Sequence, residues 1–220
     1  FTFNIRDPRL AELSGVSVSN VRVTVPVGGL ETEGPLLITH WGLSGPAVLK
    51  MSAFGARWMA DQDHRFTMYV NWLPQFEVED LIEELNSLRK DVSHQRKRVL
   101  SNAMFGIPLR LWRSLGAFAR LPESANWSDL SKPQLRKWAE VLTESTFTVV
   151  GKSTNKDEFV TSGGISLSEV SFSTMESRIA PGLYFAGEVL DIDALTGGFN
   201  FQAAWTTGWI AGHAMAGSPI

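Results

Sequence analysis

The residues of this chain whose types and spacing could do chemistry gather toward its C-terminal end. Gly163-Gly164-Ile165 comes first. A short apolar run, Leu183 to Ala186, then closes on Gly187-Glu188, with Asp191 and Asp193 just beyond. Thr196-Gly197-Gly198-Phe199-Asn200 follows as a glycine-rich loop, and an apolar helix is expected from Phe201 to Ala216. A glycine at the end of a strand lets the backbone come close to a ligand. A carboxylate beside it can accept hydrogen bonds from hydroxyls. A glycine-rich turn that opens a helix leaves free N–H groups and the positive end of the helix dipole facing an electron-rich atom. This is the pattern of an FAD site near the ribityl chain. The helix end would face the pyrimidine oxygen, where charge builds on reduction.

Other candidates carry less. His40 and Ser44 invite a nucleophile reading, but Gly42-Leu43-Ser44-Gly45 is not G-x-S-x-G. His40 stays as a candidate on the substrate side of a flavin, against the plainer reading of a strand-end histidine. The four histidines stand at no metal-ligand spacing and there are no cysteines, so no metal site, disulfide or iron–sulfur cluster is expected. Arg89-Lys90 and Arg96-Lys97-Arg98 make a basic stretch that reads as helical. Such a stretch is either a solvated helix face or a contact for RNA or an acidic partner. The formal net charge of −3 gives no general attraction to nucleic acid or to an anionic membrane. Trp205 and Trp209, four apart on the last helix, read as packing residues. Taken singly, Glu188 and Asp191 would be surface carboxylates and Gly197-Gly198 an ordinary turn.

The elements that must position these residues can be read from periodicity. Val16 to Val27 alternates apolar and polar residues as a half-buried strand does, and Gly28-Gly29 turns it. Leu36 to Thr39 and Phe66 to Trp72 are further strands. Ser44 to Ala60 between them reads as a helix, with Pro46 suited to its first turn. From Glu77 to Thr143 the pattern is helical. Val78, Leu81, Ile82, Leu85 and Leu88 share one face; a second helix is expected over Ser93 to Met104, a third from Pro108, and a fourth from Lys132 to Thr143 with Ser131 as its cap. Strands resume at Ser145 to Val150 and Glu158 to Val160, and Leu183 to Ala186 is a last strand. Hydrophobic residues at 44% and charged residues at 20% describe an ordinary globular chain. No apolar run reaches the length of a membrane span, and the lack of cysteine fits a reducing cytoplasm. The chain opens without Met in a strand-like segment and reads as a piece of a longer protein.

Four stretches resemble the bacterial HI0933-like (BaiN/YhiN-type) NAD(P)/FAD-dependent flavoproteins. They are Phe3-Asn4-Ile5 with Asp7-Pro8-Arg9, Thr39 to Ala47 (THWGLSGPA), Thr161 to Leu167 (TSGGISL), and Gly182 to Gln202 (GLYFAGEVLDIDALTGGFNFQ). The resemblance implies an α+β chain in three parts: a β-rich domain over 1–75 and 145–160, an inserted helical domain over 76–144, and the C-terminal portion of a Rossmann-like FAD-binding domain over 161–220. It implies that Gly163, Gly164 and Ile165 lie beside the flavin ring, that Gly187 and Glu188 meet the ribityl or pyrophosphate region, and that Asp191 and Asp193 stand near the flavin edge. Gly197, Gly198, Phe199 and Asn200 would offer N–H groups to the ring. The family's G-x-G-x-x-G unit has no counterpart here, so this stretch would hold half of a cofactor site, bind FAD weakly or not at all, and be inactive alone, with FAD held by the full-length parent. The function expected is that of a fragment of an FAD-dependent oxidoreductase, its flavin reduced by NAD(P)H or an organic substrate. Its partners would be a small-molecule substrate and NAD(P)H, with no nucleic acid and no membrane. The alternative is a stand-alone protein- or RNA-binding module that works through Arg96, Lys97 and Arg98.

Overall fold

The computed structural model describes residues 1–153, 160–195 and 197–217. The chain is α+β and divides into two compact units, Phe1–Thr154 and Asn155–Ile220. The first is built on a closed six-stranded barrel: β1 (Phe3–Ile5), β2 (Ser17–Val25), β3 (Leu30–Ile38), β4 (Gly42–Ser44), β5 (Arg65–Asn71) and β6 (Ser145–Lys152), in the order β1-β4-β3-β2-β5-β6. Every pairing is antiparallel. Val18, Val21, Val23 and Val25 of β2 point into the barrel, and the register shifts between Val18 and Val21, where Ser19 and Asn20 both face outward. A bulge of this kind bends a strand and helps the sheet close. β3 is longer than the apolar run Leu36 to Thr39 indicates, because Glu31 and Glu33 occupy its outward positions.

Between β4 and β5 the expected single helix is two. α1 (Pro46–Phe54) stops at Gly55 and α2 (Ala56–Asp61) restarts there. A Cβ at Gly55 would lie 2.4 Å from Leu30 Cδ1, so the break sits where the helix meets the barrel. Between β5 and β6 lie α3 (Val78–Lys90), α4 (Leu109–Phe118) and α5 (Lys132–Thr143). α5 begins as its sequence indicates: the Ser131 hydroxyl accepts from the Gln134 N–H, and the Gln134 side chain accepts from the Ser131 N–H. The expected helix over Ser93 to Met104 is not formed. Asp91 ends α3, its carboxylate accepts from the Ser93 N–H at 2.8 Å and the Ser93 hydroxyl at 2.7 Å, and turns follow to a short 3-10 turn at Val99–Ser101. Backbone bonds to a distant stretch replace the helical ones: Ser128 N–H to Gln95 O, Trp127 N–H to Lys97 O, and Val99 N–H to Ala125 O. One core runs through barrel and helices, with Trp72, Trp112, Trp127 and Trp138 fully buried.

The second unit contains a two-stranded ribbon, β7 (Val170–Ser171) with β8 (Glu176–Ser177), and the helix α6 (Phe199–Met215). The run Leu183 to Ala186 makes only a single bridge, Tyr184 to Glu176, rather than the expected strand. Phe199 and Asn200, read from the sequence as loop, form the first turn of α6. The expected strand over Glu158 to Val160 begins on residues outside the described ones, as does Thr196 of the glycine-rich loop.

Candidate functional site

In the second unit two of the predicted segments lie side by side. Ile165 N–H donates to Val189 O at 2.9 Å, and Asp191 N–H donates to Ile165 O at 3.0 Å. Gly164 has a φ of 144°, and a Cβ there would come 2.6 Å from Val189 O and 2.8 Å from Asp191 N. The close approach that glycine permits here is of backbone to backbone. Gly187 donates its N–H to Thr207 Oγ1 at 3.0 Å, which ties the Gly187–Val189 turn to α6. Glu188 is exposed and Asp191 half-buried. Gly198 is left-handed with φ 92° and caps α6 without any side-chain bond to its first turn, while a Cβ there would meet nothing within 4 Å. Gly197 is also at positive φ. Asn200 is committed to closing the loop: its Oδ1 accepts from Ala194 N–H at 2.9 Å and its Nδ2 donates to Ala194 O at 3.0 Å. Phe199 points outward. Trp205 and Trp209, expected as packing residues, are 70% and 53% exposed, since among the described residues α6 buries only Thr207 and Ala211.

In the first unit the charge is sorted along the helical insertion. Residues 89–120 hold eight Lys and Arg against one acidic residue, a local charge of 8 − 1 = +7 in a chain of net −3. At the far end of α3, Glu79 pairs with Arg136 at 2.8 Å, and Glu77, which precedes the helix, pairs with Arg22 at 2.9 Å. Arg136 holds the Glu79 carboxyl below its ordinary value through this hydrogen bond. Arg96, Lys97 and Arg98 are exposed, and their side chains enter no ion pair among the described residues. The turn that carries them is knotted at its start. The His94 ring bonds the Asp91 carboxylate at 2.7 Å, and this bond with those from Ser93 lowers the Asp91 carboxyl to about 2. A cleft of about 830 Å³ opens beside it, lined by Arg98, Leu100, Ser101, Arg113, Glu123 and Ser124 among others. Arg113 Nε donates to Leu100 O at 3.1 Å, which places its guanidinium at the rim. The basic stretch is therefore a pinned turn beside a cleft rather than a helix face.

Arg9 has a structural role. It is 5% exposed, grips Asp7 with two bonds of 2.8 and 2.7 Å, and donates to Thr146 O. Its guanidinium lies 4.0 Å from the Phe147 ring centroid and 4.4 Å from that of Phe118. It thereby joins β6 to α4. Burial alone would raise the Asp7 carboxyl, but the bonds from the Arg9 side chain and backbone outweigh it and hold the carboxyl low. His40 sits in the exposed turn between β3 and β4, in the first unit. Among the described residues no three potential ligands gather as a metal site, and no helix is long and apolar enough to cross a membrane.

The profile described as "HI0933-like protein barrel and H2TH domain" matches residues 1–160, and the chain belongs to that family. It is 32% identical over 210 residues, 94% of its length, to the "Ribosomal RNA dihydrouridine synthase" of Escherichia coli K12, and 32% identical, over 95% of its length, to that of Haemophilus influenzae. It is 28% identical over 86% of its length to the "3-dehydro-bile acid delta(4,6)-reductase" of Clostridium scindens. The shares of those relatives covered are 49%, 48% and 46%, so the chain spans about half their length. These relatives are enzymes. They also correct two expectations. The reading as a fragment of an FAD-dependent oxidoreductase, fed by NAD(P)H or an organic substrate, gives way to the alternative. The exclusion of nucleic acid as a partner fails as well. Both are overturned by the two relatives named for ribosomal RNA. Net charge misled because it averages an acidic majority with a basic segment of +7. The alternative rested on the run Arg96 to Arg98.

Proposed function

We propose that this chain is part of an enzyme that acts on ribosomal RNA, and that the basic surface around Arg96, Lys97 and Arg98 holds the RNA. The observation that carries the reading is the segregation of +7 charges into residues 89–120, with those three cations exposed and uncommitted. Phosphate contacts supply most of the sequence-independent affinity for nucleic acid, and they do so through Lys and Arg free to displace counterions. Arg113, which lines the same cleft as Arg98, adds one more phosphate or base-edge donor. A cytoplasmic setting goes with such a substrate.

The three modules, 1–75 with 145–160, 76–144 and 161–220, are assigned here as β-rich, RNA-holding helical, and cofactor-side parts, the last Rossmann-like in the whole protein. FAD is the cofactor we assign to that last part. Two features support it: α6 starts at Gly198 without a side-chain cap, and a Cβ at Gly163 would meet nothing within 4 Å. Gly164, Ile165, Gly187, Glu188, Asp191, Gly197, Phe199 and Asn200 would form or frame that cradle. A bound flavin supplies redox chemistry. The FAD content of the whole protein that contains this chain tests this: it should fall in the Gly198→Val variant, and an unchanged content would count against the assignment.

The RNA reading is tested by fluorescence anisotropy on the whole chain with a labelled single-stranded ribosomal RNA segment across a salt series. Replacing Arg96, Lys97 and Arg98 together by Ala should weaken binding and flatten the slope of log K against log salt by about 2, from three lost phosphate contacts. An unchanged affinity and slope would overturn it.

A further inference from the structure

We infer that the turn between β3 and β4 is a nucleobase-stacking platform, with Trp41 as the ring on which an unpaired base of the RNA lies. This rests on the RNA reading above and extends it to a residue on a different part of the first unit. Four of the eight tryptophans are fully buried, whereas Trp41 is 69% exposed. A large ring left in water is uninformative on a loose loop. This turn is not loose. The Thr39 hydroxyl accepts from both Trp41 N–H and Gly42 N–H at 3.2 Å, and Thr39 N–H donates to Gly42 O at 2.8 Å. The Trp41 carbonyl accepts from Ile5 N–H at 2.8 Å, so the turn is clamped to β1. Gly42 makes the clamp possible: a Cβ there would lie 2.2 Å from Phe3 O. The backbone under the indole is fixed on both sides while the ring stands free.

The residues beside the turn bear on the occupant. His40 precedes it and is exposed; Arg6 follows the residue that clamps it and is exposed. A flat aromatic flanked by groups that can meet phosphate suits a single-stranded nucleic acid better than an apolar peptide. The turn is also connected to the basic surface. Ile38, at the end of β3, exchanges bonds with the loop after the Pro8–Leu10 turn, accepting from Gly15 N–H at 2.9 Å and donating to Val16 O at 2.9 Å. On the same loop the Glu12 carbonyl accepts from Arg110 of α4, the helix that carries Arg113.

The test uses the whole chain, a uridine-rich single-stranded RNA on the order of ten nucleotides, and three proteins: wild type, Trp41→Ala and Trp41→Phe. Stacking is worth about 1–3 kcal/mol per base, so Trp41→Ala should weaken binding by about 5- to 150-fold, with the salt slope unchanged. Trp41→Phe should keep most of the affinity. RNA should quench a part of the tryptophan emission in wild type that is missing from Trp41→Phe. Wild-type affinity in Trp41→Ala, or equal loss in both variants, overturns the platform while leaving the RNA reading intact. A wild-type chain that binds no RNA overturns both.

Discussion

The two units handle their apolar residues in opposite ways. In the first, forty-one buried apolar side chains form one core that runs from the barrel through α3, α4 and α5. In the second, the described residues bury four, Val170, Met175, Leu190 and Ala211. Phe199, Phe201, Trp205, Trp209 and Met215 of α6 stand exposed instead. A small unit that buries little surface gains little from the hydrophobic effect and relies on backbone bonds and turns. The first unit is thus a self-supporting scaffold with a charged exterior. The second holds its glycine loops in place by local hydrogen bonds.

Three measurements would break or sharpen that contrast. The largest effect is expected from truncating a core ring. Trp138→Ala removes a fully buried indole that sits edge-on to Trp112 at 4.8 Å, and should cost about 3–5 kcal/mol in urea unfolding. Trp205→Ala, on the exposed face of α6, should stay within about 0.5 kcal/mol. Equal costs would mean the second unit has a core of its own.

Next comes the pair that locks barrel to helix. The Asp7 carboxyl is lowered in the folded chain, so the stability it contributes is fully present above its ordinary value of 3.8 and is lost as pH falls through the lower, folded value. Melting temperature followed downward from neutral pH should therefore fall in this acid range more steeply for wild type than for Asp7→Asn. Asp7→Asn should be the less stable at neutral pH, because it leaves the buried Arg9 without its charge partner. Identical acid profiles would remove Asp7 from the account.

The smallest effect should be local. Gly164→Ala adds a Cβ where 2.6 Å separates it from Val189 O, at a φ that L side chains rarely adopt, and costs about 1–3 kcal/mol. Faster hydrogen exchange is expected at the Ile165 and Asp191 amides, with none at Val70 or Phe147 in the barrel. Exchange that spreads into the barrel would show that the two units unfold together.

Much of the first unit could be read directly from the chain. The alternation in β2, the single face of α3 and the Ser131–Gln134 box of α5 are local signals, and each produced the element it predicts. The basic run Arg96 to Arg98 was visible as well, but its setting was not. Its turn depends on bonds to residues 125–128 that no local window contains. In the tail, the glycine spacing marked which backbone must come close. It did not say that for Gly164 the neighbour is Val189 to Asp191.

By itself the sequence determined the order and type of most elements, the concentration of positive charge in residues 89–120, and the family. Propensity, periodicity and charge are properties of neighbours along the chain. Only the tertiary structure decided which tryptophans are core and which stand in water, that Arg9 is a buried clasp between Phe118 and Phe147, and that Trp41 rides on a clamped turn. Those outcomes depend on residues tens or more than a hundred positions away. Burial and hydrogen-bond partnership are set when the barrel closes, not by the identity of the side chain.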